Sequence, residues 1–586
     1  MNHINSKLEN YLSNSIKLNR NRLTRLIKKY LIQLIKALLL EKKVNQILSD
    51  LAFLSPKQFI EEIFEILNFS FIVSDKDIQK VPTEGKVICV SNHPIGSLDS
   101  LALLKIFLDR RSDVKIVAND FLMSVSNLKD LLLPINLFNN TFQKNNIRTI
   151  IESLNADNAI IIFPAGSVSR LNGLQIKDAK WNKGAVYFSQ KTNSPILPVR
   201  IDAKNSLLFY LVSIISKKIS MILLVRELFN KKNKTIRIHI GDIIPAKAFT
   251  ESMIDAKYQA KLLKNHVYRL NKSKKLIFNT EKTVINAIDK KILKKELKNS
   301  KLLSITNDGY KIYITNKSQS PYLINEIGRL RELTFRKIGE GTGKRYDVDE
   351  FDNHYEHIII WDEEELEIVG SYRLGLCNKI ISEKGIGGLY TNTLFNFNKN
   401  FIEEILPYSL ELGRSFIQQK YWNSNALFYL WKAIGSYLLT NNSIKYLFGA
   451  VSISNNYSSS AKESIVHFYN KWFKDENNFA SAKNKFTISE LQSSQLINQY
   501  NIDDYKTEYQ FLKSNLMNEG FSIPILYKHY TELCEDKGAS FIDFNVDPLF
   551  SNCIDGLILI DVSKIKAEKK KRYFNDSWQI QEKISA

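Results

Sequence analysis

The sequence predicts an α/β chain built as two successive α/β domains. Three observations carry this. Residues 81–250 alternate short apolar runs with helical stretches. Residues 305–586 hold a second set of strands and helices, with a hairpin near its start. The length, 586 residues, exceeds what one hydrophobic core supports. Hydrophobic content of 44% and aromatic content of 11% suffice for such cores.

The first segment, 1–80, reads as a basic amphipathic helical region. Leu23, Leu26, Ile27, Tyr30, Leu31, Leu34, Ile35 and Leu38 recur at helical spacing, and lysines and arginines fill the remaining positions. One-signed charge beside an apolar stripe suits the interface of an anionic membrane. In 81–250, strands are expected at Lys86–Val90, Val114–Ala118, Asn158–Phe163, Ile196–Ile201 and Thr235–Ile240. Residues 251–304 are expected to form a helical basic linker, since Lys290, Lys291, Lys294, Lys295, Lys298 and Lys301 face only Glu296. In 305–586, the strand His357–Trp361 turns through four acidic residues into Leu366–Leu374. The tail contributes a further strand, Gly556–Val562, and a frayed basic end.

The net charge of +21 favours acidic partners. No recognition motif for nucleic acid is present, so a nucleic-acid binder is not expected. Cys89, Cys377, Cys534 and Cys553 are scattered, without a C-x-x-C pair, and read as reduced buried thiols. No metal site is expected, because His354 and His357 lack a third ligand nearby. The opening residues have no apolar core of a leader, and no uncharged run reaches the ~18 residues of a spanning helix. A cytoplasmic protein, peripheral at the inner face of the cytoplasmic membrane, is therefore expected.

One stretch organises the first half. Ser91–Ser100 reads S-N-H-P-I-G-S-L-D-S between an apolar strand and a helix. It sets His93 in a tight loop with Asp99 at or near the helix N-cap, a general base with its orienting carboxylate. Downstream come F-P-A-G-S-V-S-R (163–170) and P-I-L-P-V-R-I (195–201). In this order the blocks resemble the glycerophospholipid (lysophosphatidate-type) acyltransferases, above all the ornithine-lipid O-acyltransferase branch whose members are often labelled haemolysins. Five residues, Pro94 to Leu98, separate His93 from Asp99, as in that branch. Ala165 stands where the superfamily usually has a glutamate, so no acid carries over there. The resemblance implies His93 as base and Asp99 as its partner. It implies that Asn92 and Gly96 shape the loop and that Gly166, Ser167 and Arg170 hold an anionic part of the acceptor.

The second half carries spaced charges: Arg331 and Phe335 on one helix face, Asp349 and Asp352 in a loop, Arg373 on a strand, and Glu411 and Arg414 three apart. This set resembles the autoinducer-synthase-like branch of the GNAT N-acyltransferases, in particular the ornithine-lipid N-acyltransferases. Those enzymes transfer a 3-hydroxyacyl group from acyl carrier protein to an amino acid. Glu411 is the expected proton acceptor. Arg373 and Arg414 would bind a substrate carboxylate or orient Glu411, and Asp349 and Asp352 would suit a cationic side chain.

Fused ornithine-lipid synthases have this domain order. The resemblance implies a bifunctional enzyme of the ornithine-lipid type: N-acylation of an amino acid first, O-acylation of the new hydroxyl second. It uses no cofactor beyond an acyl thioester, from acyl carrier protein or from acyl-CoA. The alternative is a single-activity lysophospholipid acyltransferase with a non-catalytic C-terminal domain. A membrane-lytic toxin fits less well, given the His–Asp pair.

Overall fold

The structure, a computed structural model, describes residues 41–119, 125–135, 144–173, 175–488, 500 and 503–574. The amphipathic helix expected over residues 20–38 lies outside the described residues. The chain divides into two compact units, Met1–Thr283 and Val284–Ala586.

Strands of the first unit are β1 (Ser70–Ile72), β2 (Val87–Ser91), β3 (Val114–Asn119), β4 (Leu132–Ile135), β5 (Ala159–Ile162), β6 (Arg170–Asn172), β7 (Gln175–Lys177), β8 (Ile196–Asp202) and β9 (Thr235–Ile240). Seven form one sheet in the order β1-β9-β8-β2-β5-β3-β4, while β6 and β7 make a separate hairpin. All neighbours in the large sheet run parallel except β8 and β9. The central strand β2, V-I-C-V-S, is buried throughout. Val87 and Cys89 enter one core layer, and Ile88 and Val90 the other. A parallel strand with both faces covered needs such an unbroken apolar run. Its carboxyl end opens into the His93 loop, and the helix Ser97–Leu108 follows.

Two boundaries read from the sequence change. Residues 41–80 supply the helices Glu41–Asp50 and Pro56–Ile66 and also β1, which pairs with β9. A three-residue edge strand is too short to show a period. The stretch read as a linker is core on both sides of the division. Leu263 and Val267 of the helix Ala256–Arg269 are buried in the first unit, and Leu293 and Leu297 of the helix Lys290–Leu297 in the second. Each is an i,i+4 pair that buries one stripe and leaves the lysines outside.

The second unit has β10 (Lys301–Ile305), β11 (Lys311–Asn316), β12 (Glu356–Asp362), β13 (Glu367–Leu376), β14 (Phe395–Phe397), β15 (Ser409–Ile417), β16 (Tyr446–Ile453), β17 (Ala480–Ala482), β18 (Ala539–Asp547) and β19 (Cys553–Asp561). Eight of them form a sheet in the order β10-β11-β12-β13-β15-β16-β19-β18. Its single parallel pair is β15 with β16, and that register covers only Ser409–Glu411 against Tyr446–Phe448. Just beyond it, a Cβ on Gly449 would stand 2.1 Å from the Leu412 carbonyl oxygen, so the approach of the two strands requires glycine. Opposite β13, β15 carries one extra residue between Gly413 and Phe416, and Arg414 sits in this bulge at φ +52°. The tail read as a frayed basic end continues into a helix, Ala567–Tyr573. Tyr573 is buried there, with its ring 5.8 Å from that of Phe428.

Candidate active sites

In the first unit, Gly96 forms the helix N-cap at φ +97°, a conformation that favours glycine, and Asp99 is the third helical residue rather than the cap. The Asp99 carboxylate is fully buried. Its Oδ2 accepts the N–H groups of Ile95 (2.8 Å) and Gly96 (3.0 Å) and lies 3.2 Å from His93 Nδ1. Burial raises the Asp99 carboxyl above its ordinary value, against the opposing pull of His93 and the two amides. The His93 ring stacks on Phe163 at 4.1 Å between centroids. With Nδ1 turned to Asp99, Nε2 is the atom left to meet a substrate proton.

The main chain of His93 is gripped from both sides. Its N–H donates to Asp178 Oδ1 (3.3 Å), and its carbonyl accepts the Ser169 N–H (2.7 Å). Ser169 Oγ also donates to Asp178, as does Trp181 Nε1 at 2.8 Å. Asp178 therefore ties the F-P-A-G-S-V-S-R turn to the His93 loop. Neither Asp178 nor Ser169 was expected to have a role. Asp178 lies nine residues beyond Ser169, in a stretch with no recognisable pattern, and only the fold brings the two together.

Other expected residues serve the scaffold. Both amide atoms of Asn92 are used as strand-like bonds to Ile201: Nδ2–H to its carbonyl and Oδ1 from its N–H, each at 2.8 Å. The Gly166 N–H closes a turn onto the Phe163 carbonyl (3.0 Å) and is not turned to an anion. Ser167 is half-buried in the same turn. Arg170 donates to Ser220 Oγ, and its guanidinium lies 5.8 Å over the Phe209 ring.

In the second unit the sequence-separated charges meet. Arg331, on the helix Pro321–Ile338, donates from Nη2 to Asp352 Oδ2 (2.9 Å) and also to the Asp347 carbonyl. Arg373 Nη1 donates to Asp349 Oδ1 (2.7 Å) and reaches Asp352 Oδ1 (3.3 Å). Arg414 Nε lies 3.2 Å from Asp347 Oδ2, and Nη2 lies 3.8 Å from Asp349 Oδ2. Three arginines thus face three aspartates. Burial raises the Asp349 and Asp352 carboxyls, but the arginines outweigh it: Asp349 ends below and Asp352 well below the ordinary range. His357, buried beside Asp352, is pushed down to about 3 and stays neutral. His354 Nε2–H donates to the Gly388 carbonyl (2.8 Å).

Glu411 is held differently from the expectation. No arginine pairs with it among the described residues; instead Tyr355 O–H donates to Oε2 and the Thr391 N–H to Oε1 (2.7 Å). Burial raises its carboxyl, as suits a proton acceptor. The Tyr355 and Tyr390 rings lie 5.1 and 5.2 Å from the Arg373 guanidinium, and Tyr390 and Phe550 each lie 4.7 Å from that of Arg414. Phe335 packs edge-on against Phe550 at 5.2 Å, so it props the Arg414 platform. Beyond Arg414 lie Glu340, which accepts from Ser452 Oγ (2.9 Å), and Asp555. Burial pushes Glu340 up to about 7 and Asp555 well above its ordinary value. Sequence reasoning missed Tyr355, Tyr390 and Thr391. Asp347 was visible as the first acid of D-V-D-E-F-D.

Both halves of the chain resemble known acyltransferases. A family model described as acyltransferase matches residues 17–275, and one described as acetyltransferase (GNAT) domain matches 330–432. A glycine N(alpha)-acyltransferase of Phocaeicola vulgatus is 34% identical over 302 residues, 50% of this chain and 92% of its own length. A lyso-glycine lipid O-acyltransferase of the same organism is 31% identical over 252 residues, 42% of this chain and 88% of its own. The chain belongs to the aminolipid acyltransferase family and joins an acyltransferase domain to a GNAT domain in one polypeptide. It is an enzyme that transfers acyl groups.

Proposed function

We propose that this chain makes an acylated glycine lipid in two steps. The GNAT unit joins a 3-hydroxyacyl group to the amine of glycine, and the first unit esterifies the resulting hydroxyl with a second acyl group. In the first step the amine nitrogen attacks a thioester carbonyl, the amide forms and the thiol leaves. Glu411, raised by burial and oriented by Tyr355 and Thr391, takes the ammonium proton. The edges of β15 and β16, unpaired beyond Glu411 and Phe448, would polarise the thioester carbonyl. In the second step His93 Nε2 takes the hydroxyl proton and returns it to the leaving thiolate, while Asp99 steadies the imidazolium. The donor is acyl carrier protein, whose acidic surface suits a chain of net charge +21. The enzyme works as a peripheral protein at the inner face of the cytoplasmic membrane. Among the described residues no helix is long and apolar enough to cross one.

The observation that favours glycine over ornithine or lysine is the commitment of Asp347, Asp349 and Asp352 to three arginines. No carboxylate of that set is left for a second amine. Arg373 keeps Nε and Nη2 without a hydrogen-bond partner among the described residues, as recognition of an amino-acid carboxylate requires. The names of the two relatives agree with this reading.

The test is expression of the full chain, His93→Ala and Glu411→Ala in a host without aminolipids, with mass analysis of the lipid extract. The expected products are diacylated glycine lipid, mono-acylated lyso-lipid and neither, in that order. Identical extracts from all three would overturn the two-step reading. An ornithine or lysine product would overturn the glycine assignment and direct attention to Glu340 and Asp555.

A further inference from the structure

The helix Leu207–Ile215, L-L-F-Y-L-V-S-I-I, carries no charged residue. Phe209 and Tyr210 turn inward against Val168. Leu207, Leu208, Leu211, Ile214 and Ile215 turn outward, at 74%, 46%, 52%, 64% and 84% exposure. The helix packs beside β6, whose Leu171 is itself 44% exposed and extends the apolar surface. A soluble surface rarely leaves so many aliphatic side chains together in water.

The apolar face is held outward by dedicated polar contacts. Ser206 Oγ caps the helix by accepting the Phe209 N–H (3.2 Å). Ser206 is in turn held through its N–H (2.8 Å) and O–H (2.5 Å) by Glu227, a buried carboxylate on the next helix, Lys217–Phe229. Lys204 and Lys217 bracket the apolar helix and Lys177 stands on the adjoining hairpin, all three exposed. The neighbouring acid, Asp202, is occupied by Arg200 (2.6 Å) and His239 (3.1 Å).

We propose that Leu207–Ile215 is an interfacial membrane element, which lies in the surface of an anionic bilayer and presents lyso-lipid to the His93–Asp99 site. This rests on the O-acylation step proposed above. Nine residues are far too few to span a bilayer, which takes about 20, but they suit a helix lying in the headgroup boundary. The flanking lysines select an anionic lipid surface. They repel a second copy of a chain of net charge +21. The element adjoins the catalytic loop: Arg170, one residue beyond the Ser169 that bonds His93, lies over Phe209, and Leu224 of the following helix comes within 3.6 Å of a Cβ on Gly96. An acyl chain in the bilayer would thus emerge beside Arg170, with its hydroxyl toward His93.

The test uses the full chain with Leu208→Glu/Leu211→Glu and Ile214→Glu/Ile215→Glu. Co-sedimentation is measured with vesicles of phosphatidylglycerol and phosphatidylcholine and with phosphatidylcholine alone, and oligomeric state is measured by light scattering. Both variants should fold as the parent does, since the positions are exposed. Each should lose roughly tenfold or more of the binding to anionic vesicles. Each should lose O-acylation of a long-chain lyso-lipid in vesicles and keep it on a short-chain acceptor in solution. Unchanged vesicle binding would overturn the proposal, as would a loss of self-association in the variants, which would make the face a contact between copies. If binding depends on the helix but no protein esterifies any lyso-lipid, the membrane element stands and the proposed O-acylation falls.

Discussion

The two candidate sites are built by opposite physical means. The first unit sets one imidazole against one carboxylate on a tight loop, and the imidazole keeps a partly open edge, with 17% of the side chain exposed. The second unit buries three arginines against three aspartates near a carboxylate that, among the described residues, bonds to Tyr355 and Thr391 instead of to an arginine. The difference follows from the acceptors proposed for them. A lipid hydroxyl is neutral, so its site needs a proton acceptor and an apolar approach. An amino acid arrives as a zwitterion, so its site needs fixed charge as well as a base. A loop with one oriented histidine costs little in stability, whereas a buried charge cluster holds only while every partner is present.

The strongest way to sharpen that contrast is to remove the base of the open site. His93→Ala should lower O-acylation about 10²–10⁴-fold and leave N-acylation unchanged, in assays that supply each acceptor separately. Equal losses at both steps would break the comparison. Next is Asp352→Asn, which leaves Arg331 and Arg373 short of their shared partner. It should cost about 3–5 kcal/mol of stability and abolish N-acylation, read by thermal unfolding and amine turnover. A variant as stable as the parent would show that the cluster is not the buried network described here.

A smaller effect is expected at Asp178, which meets His93 through its main-chain N–H alone while also holding Ser169 and Trp181. Asp178→Asn should lower the O-acylation rate roughly tenfold, because an amide cannot accept on both sides from His93, Ser169 and Trp181, with KM for the acceptor unchanged. A rise in KM alone would make Asp178 a binding group rather than a positioning residue. The smallest effect concerns pH. Glu340 is held at about 7, above its ordinary 4.5, so between those values the folded chain keeps a proton that the unfolded chain releases. Stability contributed by this group is full below about 4.5 and falls as pH rises to about 7. Glu340→Gln should therefore flatten the fall in Tm between pH 5 and pH 8 and raise Tm at pH 8. An unchanged slope would show that Glu340 is ionised in the folded chain throughout.

The sequence by itself determined the two α/β units, the parallel strand before His93 and the choice of His93 and Glu411 as the candidate bases. Those signals are local: an unbroken apolar run, a five-residue gap between His93 and Asp99, and charges at helical or strand spacing. Tertiary structure alone decided which groups hold His93 and Glu411. Asp178 reaches the His93 loop from 85 residues away, and Tyr355 reaches Glu411 from 56. It also decided that Asn92 clamps two strands, that Gly166 closes a turn, and that the arginines are spent on aspartates rather than on Glu411. A side chain's partner depends on which strands lie side by side, and pairs so distant in the chain leave no period for the sequence to show. The same holds for Leu207–Ile215. Its sequence shows only an uncharged apolar run, and the packing of Phe209 and Tyr210 inward fixes which aliphatic residues must face outward.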